Sequence, residues 1–303
     1  VPSADDPTFD AERAAALISD AFPSLRPVRV SHLGRGWDHD VYLANEAWVF
    51  RFPRNGAAAS AVPRELALLP WLAPQLPVTI PSPVWDCVIE GTPGWRIAGH
   101  PLIPGRTVCD AGLDASARAA LAPALAGFFR ALHSLPPQGA PIELPPDPLR
   151  RLDVEYRGPL ARTRIAALEH DGVLPAQVAA RLLRIVETPP ASPPDDPPAI
   201  VHADVHTRNV LIGESGQLTG VIDWVDVHCG RPAIDLAGAW EVLPPSGRAV
   251  FFARYGAVSE LTVGWARWRA VTHTIASLHG ARERGDVPFG RACRQALIEM
   301  THD

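Results

Sequence analysis

The chain of 303 residues is 47% apolar and 20% charged, sets 28 basic against 33 acidic residues for a net charge of −5, and has four cysteines. This balance offers no positive field to a nucleic acid, no CxxC pair hints at a zinc knuckle or a disulfide framework, and no apolar run approaches the roughly 20 residues of a membrane span. The length is great for one core and suits two domains of roughly 100 to 200 residues. Cys87, Cys109, Cys229 and Cys293 are expected as buried thiols. VPSADDPTFDAERAAALISDAF has no basic segment followed by an apolar one, so no export signal is expected and the cytoplasm is the expected location, for a monomer or weak dimer.

In chain order, Asp10 to Phe22 is alanine-rich with Leu17, Ile18, Ala21 and Phe22 on one side, which predicts an opening amphipathic helix closed by Pro23. VRVSHLG, DVYLA and AWVFRFP predict antiparallel strands with a glycine turn at the first bend. SAVPRELALLPWL predicts a helix with Pro63 in its first turn, where a missing N–H is harmless. PVWDCVIE and GWRIAGHPLI add strands on either side of GTP, for a sheet of about five strands with one internal helix. Past the connector Pro104 to Thr107 the texture turns helical, and ASARAALAPALAGFFRALHSL carries Leu121, Leu125, Phe128, Phe129 and Leu132 at helical spacing. LRRLDVEY, PLARTRIAALEH, PAQVAARLLRIVE, PAIDLAGAWEVL, SGRAVFFARYG, TVGWARWRAVTHTIASLHG and FGRACRQALIEM read as further helices. The expectation is a bilobal α+β chain: a small antiparallel β-rich lobe with one helix, residues 1–103, then a larger, mainly helical lobe, residues 104–303, with one β-hairpin and a small-molecule cleft between lobes.

That hairpin lies in VHADVHTRNVLIGESGQLTGVIDWVDVH, which gathers His202, Asp204, His206, Asn209, Asp223, Asp226 and His228. Asn209 to Ile212 and Leu218 to Trp224 are strand-like runs around GESG, so Asn209 and Asp223 become neighbours at one end. An amide oxygen plus a carboxylate is a hard ligand pair suited to Mg2+ that takes its other oxygens from substrate phosphates. Asp204 stands on a loop, and a third carboxylate there can accept the proton of an alcohol attacking a γ-phosphate. The competing chemistry is a dinuclear metal hydrolase built from the imidazoles and carboxylates, which gives Asn209 no role.

HADVHTRN followed by VIDW resembles the catalytic loop, usually H-G-D-x-x-x-x-N, and the metal-binding aspartate of the aminoglycoside phosphotransferase family, relatives of protein kinases. The resemblance runs from about Leu33 to Trp240 and implies a bilobal protein-kinase-like fold. It implies Asp204 as catalytic base, Asn209 and Asp223 as holders of Mg2+, and Asp235 of GRPAIDLA as a structural residue steadying the loop, with Ala203 in place of the usual glycine. In the first lobe it implies that the turn with Gly34 and Gly36 folds over phosphates. Arg51 of VFRFPR, where most relatives have lysine, would meet the α- and β-phosphates and pair with Glu65 of PREL. AGHPLIPG resembles a purine-reading linker, with the Pro101 carbonyl as acceptor, the Ile103 N–H as donor and His100 at the gate. The implied activity is transfer of the γ-phosphate of ATP or GTP to a hydroxyl of an aminoglycoside-like antibiotic, a resistance reaction. A macrolide or another small alcohol suits the same fold, and the macrolide-kinase branch carries a similar LRIPR. Arg51 also motivates a different class, a nucleotide-binding pseudokinase.

His202 and His206 are expected to hold the loop backbone, Arg208 to make a surface salt bridge, and Asp226 and His228 to be solvated or to face an acceptor. Trp240, Trp265, Trp268, Phe251 and Phe252 read as core, and Asp153, Glu155, Glu241 and Glu260 as ordinary surface.

Overall fold

The computed structural model describes residues 8–302 apart from positions 37 and 93. Trp37 of the expected phosphate turn, Pro93 of the GTP turn and the first seven residues lie outside the described residues. Asp10 accepts a hydrogen bond from the Arg13 N–H at 2.8 Å and so starts α1, Ala11–Ala21, which buries Ala14 and Ile18 and stops before Pro23. There follow β1 (Val30–Arg35), β2 (His39–Ala44), β3 (Trp48–Pro53), α2 (Gly56–Leu72), β4 (Trp85–Val88) and β5 (Arg96–Pro101). The five strands form one antiparallel sheet in the order β1-β2-β3-β5-β4. Residues two apart on β3, Phe50 and Phe52, join Phe9, Ile18, Phe22, Tyr42 and Ile97 in the core that holds α1 to the sheet. Gly99 of β5 is required there, because a Cβ would stand 2.5 Å from the Phe50 ring.

Helix α2 begins seven residues before Pro63, because Asn55 caps it by accepting the Ala58 N–H at 2.8 Å. Pro63 and Pro70 therefore lie inside the helix rather than at its start, and each omits one backbone bond. The asparagine–glycine pair before the alanines reads as a turn in sequence, which is why the start was misplaced.

The remainder comprises β6 (Arg106–Thr107), α3 (Val108–Ala111), α4 (Ala115–Ala120), α5 (Ala122–Ser134), α6 (Val154–His170) and α7 (Ala176–Glu187). It continues with β7 (Ala199–Val201), β8 (Val210–Ile212), β9 (Leu218–Val221), β10 (His228–Gly230), α8 (Ala233–Leu236), α9 (Gly238–Val242), α10 (Pro245–Tyr255), α11 (Glu260–Glu283) and α12 (Val287–Met300). The chain forms two compact units. The first takes the described residues up to Gln75 with Thr79–Ile103 and Ala140–Ile142, and the second takes Leu76–Val78, Pro104–Gly139 and the described residues from Glu143.

Several local expectations are corrected. The expected helix at Leu149 begins only after Asp153 caps α6, since Arg150 sits at a positive φ of 52° and turns the chain first. The long helix over residues 115–134 breaks at Leu121, before Pro123. Beside the expected hairpin β8–β9, the second unit contains the ladder β7–β10, and the connector is itself a strand, since β6 pairs with β8. Cys293 is buried, whereas Cys87, Cys109 and Cys229 are only partly so; all four are free thiols. Trp240, Trp265 and Trp268 are core residues as expected.

Candidate active site

The hairpin register pairs Val210 with Val221, and the Ile222 N–H donates to the Asn209 carbonyl at 2.9 Å. Asn209 and Asp223 thus emerge side by side at the open end. Asp223 takes a left-handed φ of 68°, which turns the chain out of the strand immediately after the ladder.

The loop before β8 is built on histidines and one buried carboxylate. His202 is fully buried; its Nδ1 accepts the Asp204 N–H at 3.2 Å and its Nε2 donates to the Ile222 carbonyl at 3.0 Å, so both ring nitrogens serve the backbone. Burial lowers its pKa. The Asp235 carboxylate accepts the N–H groups of His202 at 2.8 Å and Ala203 at 2.6 Å, and His133 Nε2 stands 3.1 Å away. Burial alone would raise the Asp235 pKa, but the His133 bond and charge outweigh it and hold it low. Ala203, where the resemblance expects glycine, sits at φ 72° with its methyl buried.

Asp204 is the centre of a polar cluster. Asn209 Nδ2 donates to its carbonyl at 2.9 Å and its Oδ2 at 3.1 Å. His206 Nδ1 accepts the Arg208 N–H at 3.2 Å, with Nε2 3.5 Å from Asp204 Oδ2. His273 Nε2 lies 3.1 Å from Asp204 Oδ1, and its Nδ1 lies 2.9 Å from each Glu241 oxygen. Burial alone would raise the Asp204 pKa; the charges and bonds of His206 and then His273 hold it well below the ordinary carboxylate range. This carboxylate is ionised at neutral pH, about a quarter of its side chain remains exposed (24%), and it is an acceptor ready for a hydroxyl proton.

The sequence reading missed His273 of α11 and placed Glu241 of α9 at the surface, whereas Glu241 is 5% exposed. The available signal was Arg269 and His273, two polar residues four apart on the apolar face of a helix that also carries Trp265 and Trp268. Asp226 keeps part of its side chain exposed but is not free in solvent: it pairs with buried Arg151 at 2.7 Å, and Arg151 also reaches Asp147 at 2.5 Å. Desolvation still raises the Asp226 pKa against the Arg151 charge. His228 is fully buried with Nδ1 bonded to the Asp226 carbonyl at 2.8 Å, and Arg208 pairs with Asp286.

The donor set fits Mg2+. With its nitrogen turned to Asp204, the Asn209 side chain presents its oxygen on the other side, and Asp223 adds a carboxylate at the same hairpin end. Among the described residues no three His, Cys, Asp or Glu side chains converge as a metal centre, so the imidazole-rich dinuclear site is not formed.

Within the first unit, Arg51 Nη1 donates to Glu65 at 2.5 Å and Nη2 to His39 Nδ1 at 3.2 Å, so a histidine absent from the sequence reading braces the pair. Burial first, then the Arg51 charge, push the His39 pKa well down, which keeps the ring a neutral acceptor. Neither Gly34 nor Gly36 has a positive φ, and a Cβ on Gly34 would meet none of the described residues within 4 Å, so the described part of the fold does not demand these glycines. Arg54 closes the turn by donating to the Gly36 carbonyl at 2.8 Å. The Pro101 carbonyl accepts His100 Nδ1–H at 2.9 Å, and burial lowers the His100 pKa to about 4. Among the described residues the Ile103 N–H donates to no protein acceptor.

A family model described as "Phosphotransferase enzyme family" matches residues 29–271. No curated protein sequence matches significantly. The fold is similar to that of several solved structures. The GDP and kanamycin complex of APH(2")-IIia superposes with a TM-score of 0.70 at 22% identity, covering 95% of this chain and 98% of that one. The GDP complex of aminoglycoside 2'-phosphotransferase-IIIa gives 0.70 at 22% identity, over 97% and 99%. Macrolide 2'-phosphotransferase MphH from Brachybacterium faecium gives 0.58 at 21% identity, over 94% and 98%. With an antiparallel five-stranded sheet followed by a mainly helical unit and a family match across most of the chain, this protein belongs to the phosphotransferase enzyme family.

Proposed function

We propose that the protein is a cytoplasmic, nucleoside triphosphate-dependent O-phosphotransferase that moves a γ-phosphate to a hydroxyl of an aminoglycoside-like antibiotic and so confers resistance. The observation that carries the reading is the ionised Asp204 carboxylate bonded to Asn209, whose amide oxygen stands with Asp223 at the hairpin end. Asp204 accepts the hydroxyl proton as that oxygen bonds to the γ-phosphorus, the bond to the β-phosphate bridging oxygen breaks, and a nucleoside diphosphate leaves. Asn209 and Asp223 would hold Mg2+, which offsets charge on the phosphates. Residues 1–103 form the nucleotide lobe in this reading: Arg51, braced by Glu65 and His39, meets the non-transferred phosphates, Gly34 and Gly36 line the turn over them, and the Pro101 carbonyl and Ile103 N–H read the purine. Residues 104–303 carry the chemistry and the acceptor.

Two observations support a nucleotide donor and an antibiotic acceptor: fold neighbours were solved with GDP, and one with kanamycin. The net charge of −5 suits a polycationic acceptor. The macrolide 2'-phosphotransferase among the neighbours supports a macrolide as second acceptor class. The test is a panel of aminoglycosides, macrolides and metabolite alcohols with MgATP or MgGTP, read by product mass. An aminoglycoside gaining one phosphate is expected, and Asp204→Asn should lower kcat by about 10²- to 10⁴-fold with little change in nucleotide affinity. Full turnover in that variant removes Asp204 as base.

A further inference from the structure

We propose that His273, clamped by Glu241, is an imidazolium positioning residue that fixes the plane of the Asp204 carboxylate. The inference rests on Asp204 being the base of the proposed reaction, and it begins from stereochemistry. The ring of His273 is gripped on opposite nitrogens by two carboxylates, Asp204 Oδ1 at 3.1 Å and both oxygens of Glu241 at 2.9 Å. A neutral imidazole has one N–H and one lone pair, and an ionised carboxylate only accepts. One of the two contacts would then set a lone pair against an anionic oxygen. The imidazolium donates at both ends and satisfies both contacts.

The surrounding charges agree. Arg269, one turn before His273 on α11, is 5% exposed and approaches the Ala203 carbonyl at 3.5 Å. Glu241 comes from α9, Asp204 and His206 from the loop before β8, and α12 contributes the Cys293 thiol, whose pKa burial and then the Glu241 charge push up. The His206 ring lies 5.7 Å from that of His273. Burial and Arg269 push the His273 pKa down, but Glu241 and Asp204 outweigh them and raise it. With His273 at Oδ1 and Asn209 at Oδ2, Asp204 is held by both oxygens and cannot rotate without losing a bond.

The linkage has a defined sign. The folded pKa is raised, so the double clamp is intact at low and neutral pH and is lost as pH rises through the folded value of His273. Turnover should acquire an alkaline limb owned by His273.

The test is a long-range proton–nitrogen spectrum of the full chain labelled with 15N-histidine at pH 7.5, the His273 signal being assigned by its loss in His273→Gln. Both ring nitrogens are expected to be protonated, and Glu241→Gln should return the ring to a single N–H; should His273→Gln fail to fold, the signal that changes in Glu241→Gln gives the assignment. A His273 ring with one N–H in the unsubstituted protein overturns the inference. In parallel, slow hydrolysis of MgATP and MgGTP is followed against pH. His273→Gln is expected to lower kcat about tenfold or more with KM for triphosphate within about threefold, and to erase the alkaline limb. If Asp204→Asn is inactive while His273→Gln keeps both kcat and the limb, this inference fails alone; if Asp204→Asn is fully active, the proposed function fails, and the spectrum still decides the protonation of His273.

Discussion

Replacing Asp235 probes how the loop before β8 is held. Its fully buried carboxylate takes the His202 and Ala203 N–H groups at 2.8 and 2.6 Å, and His133 at 3.1 Å. Asp235→Ala strands two backbone donors away from water at about 1–3 kcal/mol each, so a loss of about 3–5 kcal/mol is expected. Asp235→Asn keeps one acceptor oxygen but turns an amide N–H towards a donor, for a loss of about 2–4 kcal/mol. Urea unfolding followed by tryptophan emission suits the measurement, because the His202 ring lies 4.6 Å from buried Trp224. The carboxylate has a depressed pKa, so its contribution is present above the ordinary aspartate value of about 3.9 and fades as pH falls through the lower folded value. The gap between the parent protein and Asp235→Asn should therefore narrow below about pH 4. A loss under about 1 kcal/mol in Asp235→Ala at pH 7 refutes the reasoning.

Arg51→Lys keeps the charge but loses the fork that joins Glu65 to His39; a loss of about 1–2 kcal/mol in thermal unfolding and a several-fold higher KM for triphosphate are expected, measured on the same preparation. Gly105→Ala should cost about 2 kcal/mol or more by denaturant midpoint, since φ is 143° and a Cβ would stand 2.7 Å from Thr219 Oγ1 and 2.8 Å from the Ile212 carbonyl. Ala203→Gly releases about 1–2 kcal/mol of left-handed strain but gives up about 0.8 kcal/mol of methyl burial and gains unfolded-state freedom. Its stability should stay within about 1 kcal/mol of the parent, and a larger loss in urea contradicts the strain assigned to Ala203.

The elements legible in the sequence were those whose cause is local. Period-two runs such as AWVFRFP fixed their strands almost to the residue, and the hairpin turn was enough to bring Asn209 beside Asp223. The pairing of Arg51 with Glu65, carried by family resemblance, is present at 2.5 Å. What escaped was long-range. His273 reaches Asp204 from a helix 69 positions further on and is itself held by Glu241, and no spacing rule joins a carboxylate on α9 to an imidazole on α11. His39 was overlooked because its partner across the sheet is set by register, not by neighbourhood in the chain. The start of α2 failed for the opposite reason: a strong local turn signal, asparagine then glycine, serves as a cap when a helix follows.

The stretch from Pro104 to Thr107 looks like a slack splice point, a glycine beside a proline between regions of different texture. Yet Arg106 and Thr107 are laced to Ile212 and Leu211, and Gly105 lies flat against the Ile212 carbonyl. A protein engineer seeking new termini, or a place to graft a reporter, would do better elsewhere, because an added residue here pulls on the rung next to the one that ends at Asn209.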